Sequence, residues 1–170
     1  MIINIALLYI DTPNSYLIPS ISKEASKDYD GPAAAFHSGT GHPSEVILAC
    51  TWNRAIAELM GNSVGFEGAA RGITGWYAPG INIHRNIYGG RNFEYYSEDP
   101  LISGQMAGYT SKGLAKFGVY AYAKHFALNE QEKNREELYC WASEQAIREI
   151  YARGFEHYVN LGGTGIMPAF

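Results

Sequence analysis

The sequence contains only two cysteines, Cys50 and Cys140, widely separated and without CxxC spacing. That excludes a disulfide scaffold and offers no zinc signature, so the expected state is two buried free thiols within helical patterns. Basic residues are not in excess. Lysine and arginine number 13 against 17 aspartates and glutamates, for a net charge of -4, which removes the phosphate-neutralising surface that nucleic-acid partners need. No apolar run approaches the roughly 18 residues of a membrane span, so no membrane partner is expected. Met1 to Ile10 is apolar but lacks a basic n-region and a small-residue cleavage site, and it stops at Asp11. It reads as a first strand or part of a truncated element, and it favours the cytoplasm over secretion. Internal repeats, low-complexity tracts and a glycine-rich loop followed by lysine are also missing, which argues against solenoids and phosphate-handling barrels.

What is present is a folding composition, 46% hydrophobic and 18% charged. The aromatic share is 14%, with 13 tyrosines and three tryptophans. Such rings can stack on the apolar face of a pyranose, although most of them belong in a core.

Pro13, Asn14, Pro19 and Ser20 punctuate the chain up to Tyr29, leaving room for one or two short strands. Asp30-Gly31-Pro32 reads as a turn, and Ala33 to Pro43 as a loop. Ser44 and Glu45 suit an N-cap and a first-turn acid for a helix over 45–60. Val46, Ala49, Cys50, Ile56 and Leu59 form its inner face, with a further helical stretch to Arg71. Trp76 to Ile83 reads as a strand, and Asp99-Pro100 starts a helix to about Lys116 that Gly118 closes. Val119 to Phe126 reads as a strand buried on both faces. A helix over 136–160, carrying Glu144–Arg148 and Glu149–Arg153 pairs, leads to a last strand at Gly165. Strands alternating with helix-length crossovers imply parallel pairing. The expected fold is therefore α/β, a partial (β/α)8 TIM-barrel-like domain of about half a barrel, in a single, incomplete domain over 1–170.

Two runs carry the chemistry: 89–100, with Arg91, Glu94 and three aromatic residues, and 124–135, with Lys124, His125 and Arg135. Each follows a strand, where α/β folds place their sites. Taken singly, these residues have ordinary readings. Arg91 can pair with Glu94 or Glu98, Lys124 with Glu130 or Glu132, and Arg135 with Glu132 or Glu136. His125 can be a core histidine, and His84 and Arg85 can brace the loop.

Together with Asp30-Gly31-Pro32, Pro43-Ser44-Glu45, Thr51-Trp52-Asn53 and the run from Ala78 to Asn86, the two runs resemble glycoside hydrolase family 3, in particular its β-glucosidase branch. The likeness spans about 30–170; before that only Ile18-Pro19-Ser20 matches. The resemblance implies a glucose subsite lined by Asp30, Arg91, Lys124, His125 and Arg135, acting on a β-glucoside or oligosaccharide with no cofactor and no metal. It also implies that the nucleophilic aspartate and the acid/base lie outside these residues, so that none of them is itself catalytic and the chain alone is inactive. Phe170 stands where many members carry a tyrosine. Ala127-Leu128-Asn129-Glu130 departs from the loop of the N-acetylglucosaminidase branch, which favours a glucosidase parent. A non-catalytic carbohydrate-binding module or pseudoenzyme is the alternative. Open barrel edges would promote self-association.

Overall fold

A computed structural model of the chain describes residues 16–33 and 39–170. The expected first strand in Met1 to Ile10 and part of the loop before Pro43 lie outside the described residues. Four strands, β1 (Asp28–Asp30), β2 (Gly75–Tyr77), β3 (Tyr120–Phe126) and β4 (Gly165–Pro168), form one parallel sheet in the order β1-β2-β3-β4. The crossovers contain α1 (Glu45–Cys50) and α2 (Arg54–Ala70), then α3 (Pro100–Ala115), then α4 (Glu144–Ala146), a π-turn (Ile147–Tyr151) and α5 (Arg153–Asn160). This is part of a TIM-barrel-like fold. Among the described residues the sheet is not closed, and β1 and β4 stand at its edges.

Side-chain alternation along the strands sorts the two faces. Trp76, Ala78, Ala121 and Ala123 join Leu48, Met60, Val64, Met106, Leu114, Phe155 and Tyr158 in the core beneath the helices. Tyr77, Tyr122 and Met167 pack on the opposite face, where the tyrosine rings lie 5.3 Å apart. Lys124, two residues after Tyr122, continues that inner face. α3 starts as its residues demand: the Asp99 carboxylate accepts from the Leu101 amide at 2.6 Å, and Pro100 fills the first turn. Gly118, at φ +73°, turns the chain into β3.

Several expectations are corrected. The helix over 45–60 is broken at 51–53, where Trp52 adopts φ +53° and the Asn53 side chain accepts from the Ala55 amide at 2.9 Å, capping a new helix. The break resets the helical phase. Ile56 and Leu59, expected inside, are therefore exposed, and Ala57, Met60 and Val64 are buried instead; Cys50, the last residue of α1, is also exposed. The strand read over 76–83 is regular only at Gly75–Tyr77. The helix expected from 136 begins at Glu144, where the Ser143 hydroxyl accepts from the Ala146 amide at 3.2 Å. The wider π-turn then rotates the face, burying Tyr151 and leaving Ile150 half-exposed. Cys140 lies outside any helix, and both thiols are free and exposed. Glu144 pairs with Arg148 at 2.9 Å as expected. Glu149 instead accepts from Gln145, and Arg153 pairs with Glu156.

Candidate functional site

Five expected site residues come from four segments: Asp30 from the end of β1, Arg91 from the loop after β2, Lys124 and His125 from the end of β3, and Arg135 from the loop after it. Four of them lie on one chain of ionic contacts. Lys124 Nζ stands 2.8 Å from Asp30 Oδ1 and 3.4 Å from Glu94 Oε2. Arg91 Nε pairs with Glu94 Oε1, and its Nη1 lies 3.8 Å from Glu132 Oε1. Glu132 Oε2 is 3.1 Å from Arg135 Nη1, and the Arg135 guanidinium sits 4.7 Å over the Phe170 ring. Three acids thus face three bases. Two of the local pairings foreseen in sequence, Arg91–Glu94 and Arg135–Glu132, form within this network. Lys124 pairs with neither Glu130 nor Glu132. Those two are drawn elsewhere, and Glu130 accepts weakly from Asn82 and the Ile83 amide, each at 3.4 Å.

Burial grades the network. Lys124 and Glu94 are 2% and 3% exposed, whereas the Asp30 side chain is 55% exposed. The inner pair is therefore fixed by its neighbours, and Asp30 turns free carboxylate surface toward solvent. At the far end, a depression of about 370 Å³ is lined by Glu132, Asn134, Arg135, Glu136 and Glu137. Fixed charged donors beside an open acceptor suit a polyol, because hydrogen bonds to charged groups are about twice as strong as neutral ones.

His125 stands behind this grip. Its ring Nδ1 lies 3.3 Å from the Tyr95 hydroxyl and 3.4 Å from Asn129 Nδ2. Its backbone is held twice by buried Asn82, which accepts from the His125 amide at 2.6 Å and donates to its carbonyl at 3.0 Å. The pairing of β3 with β4 shifts register between Lys124 and Phe126, with His125 as the extra residue. Successive residues of a regular strand point to opposite faces, whereas a bulge re-aims one of them, so Lys124 and His125 both reach the same end of the sheet.

Burial, reinforced by Arg91, Lys124 and Arg135, holds the His125 pKa down to about 2, against an ordinary 6.5. The folded protein therefore favours the neutral ring. That stabilisation is present above pH 6.5 and is lost as pH falls, by about 1.4 kcal/mol per pH unit for the one proton. The His125 ring resonances are predicted to stay flat from about pH 8 to about pH 4. A midpoint near 6.5 in an NMR titration would contradict the burial.

Glu94, Glu45, Tyr95, Asn129 and Glu132 were not foreseen as parts of the site. Glu94 had a signal, standing three residues after Arg91. Glu45 had only the ordinary signal of a first-turn acid, yet it is fully buried. His84 braces the loop as expected, its Nε2 donating to the Tyr95 carbonyl at 2.8 Å and to that of Asn92 at 3.0 Å. Arg85 binds the Tyr151 hydroxyl.

Comparison with known proteins follows the same line. The family model described as glycosyl hydrolase family 3 N terminal domain matches residues 18–170. The chain belongs to glycosyl hydrolase family 3. β-Glucosidase A of Butyrivibrio fibrisolvens is 41% identical over 154 residues, which is 87% of this chain and 19% of that protein. Thermostable β-glucosidase B of Acetivibrio thermocellus is 41% identical over 128 residues, 75% of this chain and 16% of its own length. Among solved structures, β-glucosidase 3B from Thermotoga neapolitana in complex with glucose superposes with a TM-score of 0.83 at 41% identity, covering 91% of this chain and 23% of that one. The chain thus spans about a fifth of the family 3 relatives it matches.

Proposed function

We propose that this chain forms the subsite for the nonreducing terminal glucose of a retaining family 3 β-glucosidase. The observation that supports this most is the inner triad, with Lys124 held between half-exposed Asp30 and buried Glu94. On this reading Asp30 accepts from sugar hydroxyls, Lys124 and Arg91 donate to them, and the neutral His125 ring contributes a hydrogen bond without charge. Arg135 closes the outer side. Relatives solved with glucose bound favour a hexose as the occupant.

Retaining hydrolysis needs two carboxyl groups about 5 to 5.5 Å apart, one attacking the anomeric carbon and one protonating the leaving oxygen. In this proposal both lie outside the 170 residues, and the residues of this chain bind and orient the sugar. Three results test it together. The purified 170-residue chain should release no nitrophenol from an aryl β-glucoside. A longer coding frame, where one exists, should continue into a strand ending in an aspartate whose replacement abolishes turnover. The 170-residue chain should also self-associate in sedimentation at high concentration, because β4 stands at the edge of the sheet among the described residues and its outer side can take a further strand. Turnover by the short chain alone would overturn the assignment of the carboxylates, and a strictly monomeric chain would overturn the open-edge argument.

A further inference from the structure

Glu45 is fully buried at the start of α1, and the hydroxyl of its N-cap neighbour Ser44 makes no capping bond. Its Oε2 accepts the Gly80 amide hydrogen at 2.9 Å, while its Oε1 has no hydrogen-bond partner among the described residues. Gly80 is a junction. It bridges Tyr95 on one side and Lys124 on the other, and its neighbours exchange backbone bonds with β3, from Lys124 N–H to Pro79 at 2.9 Å and from Ile81 N–H to Lys124 at 2.7 Å. The approach there is so close that a Cβ on Gly80 would lie 2.3 Å from the Glu94 carbonyl oxygen. The Glu45 hydrogen bond therefore grips the point where the segments carrying Glu94 and Lys124 meet.

The ionisable groups facing this carboxyl are the Glu94 carboxylate, the Lys124 ammonium and the Tyr96 phenol. Lys124 already has Asp30 and Glu94 within 3.4 Å. With Glu45 and His125 neutral, Asp30, Glu94 and Glu132 balance Arg91, Lys124 and Arg135. An ionised Glu45 would add an uncompensated charge with one oxygen lacking any donor among the described residues, the costliest state for a buried carboxyl. We propose that Glu45 is a positioning residue of the sugar subsite, fastening the Gly80 junction as a neutral hydrogen-bonding acid and not as a counter-ion for Lys124. Burial first, and then the nearby Glu94 charge, push its pKa well above the ordinary carboxylate range, in the same sense.

The inference rests on the glucose-subsite reading, so the experiment has one arm that needs no sugar. A folded-state pKa raised above the unfolded value means that stability is lost as pH rises above about 4.5, while a glutamine loses nothing. In the full chain, Glu45→Gln should melt at or above the wild-type temperature at pH 7, with the gap closing toward pH 4. A Glu45→Gln melting point clearly below wild type at pH 7 would overturn the neutral acid. In the second arm, glucose affinity is measured by calorimetry well below each melting point. Glu45→Gln should stay within about twofold of wild type, and Glu45→Ala should weaken binding roughly tenfold. Glu45→Asp, which withdraws the carboxyl by one methylene, replaces the alanine variant if that fails to fold. Equal losses in the glutamine and alanine variants, or no loss in either, would overturn the positioning role. A wild-type chain that binds no glucose would sink the subsite reading and the positioning role with it, while the melting curves still report the state of the carboxyl.

Discussion

Replacing Lys124 with methionine is expected to destabilise the chain by about 2 to 4 kcal/mol and to abolish measurable glucose binding. The size follows from burial. Lys124 and Glu94 are almost completely enclosed, and removing one partner of a buried pair costs about 3 to 5 kcal/mol because the other charge is stranded. Glu94 keeps Arg91, which holds the loss toward the lower end. The Asp30 contact adds little to stability, since Asp30 is more than half exposed and solvent screens the pair to about 1 kcal/mol or less. For a chain of this length the melting point should drop by roughly 4 to 16 °C. Denaturant unfolding of Lys124→Met, Glu94→Gln and the double variant would separate the terms. The double variant should recover part of the single losses, because neither charge of the Lys124–Glu94 pair is left behind and Arg91 keeps Glu132 at 3.8 Å. A single-variant loss below about 0.5 kcal/mol would mean that Lys124 is solvated in the folded chain, and the enclosed triad would have to be abandoned.

That triad was only half legible in the sequence. Taken singly, Lys124 and Arg91 have ordinary local pairings in the sequence, and it is the resemblance of the two runs to family 3 that singles them out. The partner that gathers them, Glu94, looked like a local mate for Arg91. Local pairing and site assembly turn out to be the same contact, since Glu94 binds Arg91 through one oxygen and faces Lys124 with the other. Glu45 does stand in the first turn of α1, but its burial is not legible, for a different reason. An acid in the first turn of a helix satisfies the dipole rule whichever way its side chain points, so the rule says nothing about burial. The strand order was legible from helix-length crossovers. The phase of α2 was not, because Trp52 in a left-handed conformation is unexpected for a bulky side chain, and a period counted through it is off on the far side. The aim of His125 depends on a one-residue register shift that no residue type announces.

Gly61→Ala is expected to destabilise the chain by about 2 kcal/mol or more, although alanine is the better helix former. In an open helix interior the change would stabilise by about 1 kcal/mol. Here a Cβ on Gly61 would sit 2.0 Å from the Thr110 carbonyl oxygen, and one on Gly113 would sit 2.3 Å from that of Glu58. The obstacles are backbone atoms of the facing helix, so the whole of α3 must move away from α2. Overpacking of this kind costs about 1 to 3 kcal/mol and occasionally more. Gly68, two turns further along α2, supplies the control. A Cβ there meets Val119 at 3.5 Å, an ordinary contact, so Gly68→Ala should be neutral or stabilising by up to about 1 kcal/mol. Opposite signs for two identical substitutions on one helix can be checked by denaturant unfolding at a single pH. If both variants gain stability, helix propensity governs and the α2–α3 backbones are not in contact. The consequence reaches the site, because α3 begins at Pro100, the last residue of the run that carries Arg91 and Glu94. A displaced α3 should therefore weaken glucose binding in Gly61→Ala even at temperatures where the variant is fully folded.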